Sequence, residues 1–282
     1  MRFLLNVFLF FIVISSCYSG IALGEFSAPQ EKISAFLRVK DEIKTIEACL
    51  NSIDGVFDRI VIIHSIEKDD GSIALMRKWC KDRSYCEIYE YPYEVIPSHD
   101  ARYARRVLHE NTLAAYYNFG LTFFEPEEWV VKIDGDQVYI KKELQKFVQM
   151  IREINAENLV LFMKGYNSFV RKGQLVLQKD IPINGLDKDH FAIKRKNLLP
   201  FKQGKFWEKF SLKDKQALNF SYYSNEVWFH FKKGIKTNFT FIKNDDVKKR
   251  DILPLDEKAQ RLFNMEIRPL LKNSPYFDVK LK

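Results

Sequence analysis

Two uninterrupted apolar segments constrain the fold of this chain more than any other feature. Residues 59–64 (RIVIIH) and 129–133 (WVVKI) carry apolar side chains at nearly every position, as is typical of strands buried on both faces of a parallel sheet. Residues 41–52 and 141–155 instead repeat their apolar residues every three to four positions, which indicates amphipathic helices. This alternation predicts an α/β fold with a mostly parallel central sheet and right-handed crossovers.

The remaining segments extend the same pattern less regularly. The length of 282 residues suits one large α/β domain or two small ones. A long helix over residues 101–124 and a helix after the turn at Asp70-Gly71-Ser72 are expected. The other predictions are strands at 32–39, 87–91, 159–163 and 190–194, a hairpin within 167–179, a loop with some helix at 202–219, and short helices at 225–233 and 256–265.

Charge is distributed unevenly along the chain. Residues 1–140 hold 15 Lys and Arg against 21 Asp and Glu, whereas residues 141–282 hold 30 against 16. The two parts therefore carry net charges of −6 and +14, which suggests two different kinds of partner. A hydrophobic fraction of 46% argues against intrinsic disorder, and 11 Gly and 9 Pro exclude a collagen-like or low-complexity chain.

The beginning of the chain has the layout of a targeting segment. Residues 3–23 are almost wholly apolar, Arg2 precedes them, and small residues follow their densest part. A run of this length suffices for a membrane-spanning helix of about 20 residues. Residues 1–24 are therefore predicted to be a signal peptide or a membrane anchor, which makes the protein membrane-associated without fixing the side of the membrane. Of the later cysteines, Cys80 and Cys86 are close enough to close a small loop if oxidised, and no cysteine spacing indicates a metal site.

The sharpest chemical motif is Asp134-Gly135-Asp136, directly after the second apolar strand. Ligands of open α/β sheets bind at the carboxyl ends of the strands. Paired carboxylates at such an end suit a hard divalent cation, Mn²⁺ or Mg²⁺, which would neutralise a leaving diphosphate. The alternative is a solvated loop that happens to contain two aspartates.

Four segments occur in an order that identifies a family. They are residues 36–42 (FLRVKDE), Asp70-Gly71-Ser72, residues 91–94 (YPYE) and residues 128–136 (EWVVKIDGD). Together they resemble the bacterial β-1,4-N-acetylgalactosaminyltransferase family, whose members extend lipooligosaccharide outer cores, and more broadly the inverting GT-A glycosyltransferases. The resemblance is clearest over residues 33–140. It implies a Rossmann-like GT-A domain over residues 30–282, with a nucleotide-sugar and metal part at 30–140 and an acceptor part at 141–282.

The resemblance also implies roles for individual residues. Arg38, Asp41, Glu42 and Asp70 would contact the nucleotide, with Asp41 and Glu42 nearest the uracil and ribose. Asp134 would face the ribose and the metal, and Asp136 would bind the metal through the diphosphate. One departure stands out, because His64-Ser65 replaces the acidic residue that many relatives place against the base.

A second segment resembles the family's catalytic region. Residues 224–234 (SNEVWFHFKKG) place Glu226 at the position of the catalytic carboxylate, which would deprotonate the acceptor hydroxyl. On a helix, Glu226 and His230 would lie one turn apart, and His230 would bind the metal or a phosphate. The alternative for His230 is an aromatic core patch with Trp228. Asp187 and Asp189 compete with Glu226 for the role of base.

These observations predict a metal-dependent, inverting transferase that moves a hexosamine, N-acetylgalactosamine, from a UDP-sugar to a saccharide. The basic second half suits an anionic glycan or glycolipid acceptor and a membrane surface. The aromatic and basic residues 201–210 lack any accompanying nucleic-acid module, so no nucleic-acid partner is expected. Two alternatives remain, a glycan- or nucleotide-binding protein without turnover and a secreted or lipidated surface protein.

Overall fold

Four parallel strands form the part of the sheet that carries the predicted site. They are β1 (Ile33–Val39), β2 (Arg59–Ser65), β3 (Cys86–Tyr91) and β4 (Trp129–Asp134), in the order β3-β2-β1-β4. The inner positions of β1, β2 and β4 are almost completely buried, as their apolar runs predict. The computed structural model describes residues 31–66, 69–96, 102, 108–154, 156–178, 189–204, 208–231, 234–237, 240–243 and 252–281.

Antiparallel strands extend this sheet beyond β4. The short strand β8 (Phe191–Lys194) lies between β4 and β6 (Leu159–Arg171), antiparallel to both. The long strand β11 (Asn219–Phe231) runs parallel to β6 and antiparallel to β5 (Gln137–Tyr139). β7 (Gln174–Gln178) forms a hairpin with β6, as predicted, and it also pairs with β14 (Ile252–Leu253) and β15 (Lys280–Leu281). The chain is thus a mixed α/β fold with a mostly parallel centre, which confirms the predicted class at that level.

Helices cover both faces of the sheet. The face that carries Ala35, Leu37 and Ile62 packs against α1 (Ile46–Ile53), α2 (Ser72–Cys80) and α4 (Lys141–Glu153). The opposite face, with Phe36, packs against α3 (Leu113–Leu121) and the hairpin of β9 (Leu198–Gln203) and β10 (Glu208–Leu212). A third core contains α5 (Glu257–Leu262) and the π-helical turn Phe263–Ile267. The smaller elements are β12 (Gly234–Thr237), β13 (Thr240–Lys243) and the 3₁₀ turns His109–Asn111, Arg195–Asn197 and Arg268–Leu271.

The prediction of a helix over residues 225–233 is wrong, because its described residues 225–231 belong to β11. The segment is rich in aromatic and β-branched residues, which pack well on a pleated surface, and its partners β5 and β6 complete its backbone hydrogen bonds. Residues 202–219 contain the β9–β10 hairpin where a loop with some helix was expected. The long helix predicted over residues 101–124 is wrong in its extent, because among the described residues the α-helix spans only Leu113–Leu121 and follows the 3₁₀ turn His109–Asn111. Thr112 is extended between the two, and its hydroxyl accepts a capping hydrogen bond from the Ala115 amide.

The targeting segment, residues 1–24, lies outside the described residues. No helix within the described part of the chain is long and apolar enough to cross a membrane. Residues 31–282 form one unit, and the proposed division into a 30–140 and a 141–282 part stays a prediction. Cys80 and Cys86 form a disulfide that joins the end of α2 to the start of β3, whereas Cys49 is unpaired and buried.

Candidate active site

The loops that follow β1 and β2 meet at the carboxyl edge of the sheet. The Asp70 carboxylate accepts a hydrogen bond from the Ile43 amide at 3.0 Å, and the Ser72 hydroxyl accepts one from the Glu42 amide at 3.1 Å. Asp41 adopts a left-handed backbone conformation with φ of 55°, which turns the chain sharply after β1. Asp70 therefore fixes the loop that carries Asp41 and Glu42, and the structure brings these three predicted residues together.

A cavity opens between this loop and the end of β2. It encloses about 270 Å³, including the solvent space at its mouth, and its lining contains Asp41, His64, Ser65 and Ser72. His64 is buried, and its Nδ1 lies 3.2 Å from the Ser65 carbonyl oxygen. Because a carbonyl oxygen only accepts, Nδ1 carries a proton in this contact, and in the neutral imidazole Nε2 is then the acceptor. His64 Nε2 has no hydrogen-bond partner among the described residues.

Asp134 lies at the end of β4 in an ionic cluster with Lys132 and Asp189. The Lys132 ammonium is 2.8 and 2.9 Å from the two Asp134 oxygens and 3.2 Å from Asp189 Oδ1. Burial by itself would raise the pKa of Asp134, but Lys132 and His190 hold it well below its usual range. Burial would likewise lower the pKa of Lys132, and the two aspartates raise it well above its usual value. The cluster is therefore ionised at neutral pH.

His190, which is not among the predicted site residues, completes the cluster. Its Nε2 lies 3.0 Å from Asp134 Oδ2, and its ring packs on the Trp228 indole with 4.4 Å between the ring centres. Candidate ligand atoms of Asp134, Asp189 and His190 all lie within 4.8 Å of one another. The only signal in the sequence is an Asp-His pair at the start of a predicted strand, which is too common to single out.

Asp136 forms a second pair with His230. The His230 Nε2 atom lies 2.7 Å from Asp136 Oδ2, and the Phe231 amide donates to the Asp136 carbonyl oxygen at 2.9 Å. The two contacts attach the loop after β4 to the end of β11. His230 therefore lies beside the Asp-Gly-Asp motif, although it reaches that position from a strand and not from a helix.

Glu226 lies elsewhere on β11. Four residues of strand separate it from His230 by about 13 Å, so the expected spacing of one helical turn is wrong. The Glu226 carboxylate accepts a hydrogen bond from Lys258 at 2.7 Å and pairs with Lys164 at 3.4 Å. Burial would raise the pKa of Glu226, but the hydrogen bond from Lys258 and the charges of Lys164 and Lys258 together outweigh it and lower the pKa. Its role as the base stays a prediction, and Asp187 lies outside the described residues.

Arg38 is the register neighbour of Asp134 on the adjacent strand. Its guanidinium lies 4.7 Å from the centre of the Tyr117 ring. Burial would lower the pKa of Arg38, but the nearby Tyr117, Glu208 and Asp134 raise it well above its usual value. Arg38 thus adds a fixed positive charge beside the Asp134 carboxylate.

The donor chemistry of the two clusters fits a divalent cation. Carboxylate oxygens suit Mg²⁺ and Mn²⁺, and the imidazoles of His190 and His230 add nitrogen donors that borderline metals accept. Lys132 already neutralises part of the charge on Asp134 and Asp189, so an ion at that cluster would share these oxygens with an ammonium. The Asp136–His230 pair adds further donors at the same edge of the sheet.

Comparisons with known proteins relate the chain to a family and to several solved structures. A family model described as "Beta-1,4-N-acetylgalactosaminyltransferase (CgtA)" matches residues 27–268. A search of curated proteins found no match. The similar solved structures include TarS 1–349 from S. aureus, with 14% identity, a TM-score of 0.45, and coverage of 71% of this chain and 60% of that one.

A longer S. aureus TarS structure gives 15% identity, a TM-score of 0.43, and coverage of 72% and 37%. A putative glucose-1-phosphate thymidylyltransferase from Bacillus anthracis has 10% identity and a TM-score of 0.33, and the match covers 58% of this chain and 72% of that one. The chain thus spans less than two thirds of the TarS structures that it matches. Because the family model covers most of the chain, the protein belongs to the CgtA family of glycosyltransferases.

Proposed function

We propose that this protein is a metal-dependent, inverting glycosyltransferase of the GT-A type that moves N-acetylgalactosamine from a UDP-sugar to a saccharide hydroxyl. The observation that carries the proposal is the position of Asp134, Asp136, His190 and His230 at one carboxyl edge, next to a cavity. Membership in the CgtA family supports the choice of sugar.

The cavity between β1 and β2 is the proposed site of the nucleoside. Asp41 lines it, Glu42 and Asp70 belong to the two loops that border it, and all three would contact the ribose and base. His64 Nε2 offers a buried acceptor, which complements the N3–H donor of uracil. Cytosine presents an acceptor at the same ring position, so the neutral tautomer of His64 favours a uridine nucleotide.

The diphosphate is proposed to lie beside the Asp-Gly-Asp motif with Mn²⁺ or Mg²⁺. Asp134, Asp136 and His230 would hold the cation, with His190 as a further donor. When bound, the cation supplies positive charge that stabilises the departing diphosphate. Arg38 and Lys132 keep the Asp134 carboxylate ionised and oriented.

Asp189 is the carboxylate that we propose as the base for the acceptor hydroxyl. Its side chain is about half exposed, next to Asp134, whereas the Glu226 carboxylate is held by two lysines. An inverting transfer needs one base within hydrogen-bonding distance of the attacking hydroxyl. Lys132 pairs with one Asp189 oxygen at 3.2 Å and the side chain stays half exposed to an incoming acceptor, whereas both Glu226 oxygens are paired with lysines.

The proposed acceptor is an anionic glycan or glycolipid, in keeping with the charge of +14 on the second half of the chain. The apolar residues 3–23 support the further proposal that the protein is associated with a membrane, as a glycolipid acceptor would require.

The experiment that tests this function is UDP release from a panel of UDP-sugars, with and without Mn²⁺ and acceptor glycans. Asp136→Ala is expected to lose at least 100-fold in kcat. Asp189→Asn is expected to lose kcat while it still binds UDP. Glu90→Ala, which removes an exposed carboxylate paired with Arg77, serves as the control. Full activity of Asp136→Ala would refute the metal assignment, and UDP binding without any transfer would favour a binding protein.

A further inference from the structure

The first half of β11 carries two exposed aromatic side chains. Phe220 and Tyr222 are 46% and 45% exposed, although they belong to a strand of the main sheet. They are two residues apart on a strand, so both point to the same face. The buried Phe162 ring packs between them in stacked contacts, with ring centres 6.2 Å from Phe220 and 5.2 Å from Tyr222. We call Phe220 and Tyr222 the aromatic ledge.

The aromatic ledge lies near the acidic cluster. Tyr222 is the register partner of Phe162 on β6, and Phe162 is the partner of Phe191 on β8. Adjacent strands are about 4.8 Å apart, so the Tyr222 backbone is about 10 Å from Phe191, which directly follows His190. Phe162 and Phe191 belong to the core on the α3 side of the sheet, so the ledge is on that side. A ligand on it would extend toward Asp189.

Exposed lysines surround the same side of the sheet. Lys213 and Lys215 lie in the turn before β11, and Lys202 and Lys209 lie on the β9–β10 hairpin. Lys202 and Lys209 are direct register partners, an arrangement that destabilises a hairpin through like-charge repulsion. In the described part of the chain neither lysine has an ion-pair partner. An anionic ligand would relieve this repulsion.

We propose that the aromatic ledge binds the acceptor oligosaccharide, with the apolar C–H face of a sugar ring stacked on Tyr222 or Phe220 and the lysines attracting an anionic substituent. Aromatic faces are electron-rich and attract polarised C–H groups, so a half-exposed aromatic side chain can stack on the C–H face of a pyranose sugar. The proposal rests on the proposed glycosyltransferase function and adds where the acceptor binds.

The composition of the surface favours a glycan over a protein partner. A stable protein interface buries about 800 Å² on each partner and has an apolar centre. The ledge has only two rings, which is too small an apolar area for such a centre, and exposed lysines lie on the same side of the sheet. Stacking contacts flanked by cationic groups suit a charged oligosaccharide.

Steady-state kinetics of single variants test the proposal. Phe220→Ala and Tyr222→Ala are each expected to raise the KM for the acceptor about tenfold, with kcat and UDP-sugar hydrolysis unchanged. Tyr222→Phe keeps the ring and is expected to keep the KM within about twofold. Met265→Ala, which truncates an apolar side chain that is 66% exposed on another part of the chain, is the matched control. An unchanged acceptor KM in both alanine variants would overturn the proposal.

Direct binding separates this proposal from the proposed function. Saturation-transfer NMR of the full chain is measured with sialylated or phosphorylated oligosaccharides and with their neutral counterparts. If the wild type binds the anionic oligosaccharides but transfers no sugar, and Phe220→Ala/Tyr222→Ala loses that binding, the ledge proposal stands and the proposed function fails. If the double variant loses only binding to anionic lipid vesicles, or loses only self-association, the surface serves a membrane or a second copy and the proposal is overturned.

Discussion

Replacement of Lys132 by Met tests whether the buried ammonium holds the acidic cluster together. The Lys132 side chain is 2% exposed and contacts both Asp134 oxygens and one Asp189 oxygen, at 2.8, 2.9 and 3.2 Å. Breaking a buried ion pair by removing one partner destabilises a protein by about 3–5 kcal/mol, because a charge is left buried and uncompensated.

The exposure of the two aspartates determines where in that range the loss of stability in Lys132→Met should fall. Asp134 is 16% exposed and would be left buried, whereas Asp189 is 53% exposed and would be solvated by water. Only the Asp134 carboxylate is thus left buried without its ammonium partner, so we expect the free energy of unfolding to fall by about 3 kcal/mol, at the lower end of the range. With a urea m-value of about 3 kcal/mol/M, the unfolding midpoint would fall by about 1 M.

Urea unfolding at neutral pH, followed by tryptophan fluorescence and circular dichroism, measures this loss. Lys146→Met is the control, because Lys146 is 64% exposed and its ion pair with Glu143 on one helix contributes less than about 0.5 kcal/mol. We also expect Mn²⁺ to stabilise Lys132→Met more than the wild type, since a cation would offset the unpaired carboxylates. A loss no larger than that of Lys146→Met would refute the assigned role of Lys132.

Three further predictions concern other parts of the chain. Gly165→Ala would place a Cβ 2.5 Å from the Trp228 indole, so the indole has to move away from His190, on which it packs. We therefore expect at least a tenfold loss of kcat and a changed tryptophan emission spectrum. Hydrogen bonds from Arg83 and Tyr85, with the Arg83 charge, outweigh the effect of burial and lower the pKa of Asp54. The ionised Asp54 therefore stabilises the fold above its unfolded-state pKa of about 3.9, and this stabilisation is lost as the pH falls through its folded-state pKa. Asp54→Asn should therefore cost about 1 kcal/mol in urea unfolding at neutral pH, and the difference should shrink as acid protonates Asp54 in the folded protein; a constant difference would contradict the assignment. Added NaCl should raise the KM for an anionic acceptor more than the Kd for UDP, which titrations at increasing salt would show.

The sequence was sufficient to predict the elements whose residue pattern alone determines them. The apolar runs of β2 and β4 leave no alternative to burial on both faces, and the Asp-Gly-Asp motif follows β4 directly. The amphipathic pattern of residues 141–155 likewise became α4 with small differences at its end. In these cases local periodicity and tertiary burial favour the same conformation.

β11 shows where such reasoning fails. Glu226 and His230 are four residues apart, with aromatic residues between them, and such a segment fits a helix as well as a strand when its neighbours are unknown. Pairing with β5 and β6 makes the segment a strand, because an extended segment cannot satisfy its backbone hydrogen bonds alone. That choice placed Glu226 against two lysines and His230 against Asp136.

The sequence by itself determined the α/β class, the resemblance to a glycosyltransferase family and the two aspartates at the carboxyl edge. Only the tertiary structure decided which groups surround them. Lys132 is a neighbour in sequence, but His190, with Asp189 beside it, lies 56 residues beyond Asp134, and His230 lies 94 residues beyond Asp136. Their approach depends on strand order and register, which arise from long-range pairing and leave no periodic signal in the chain.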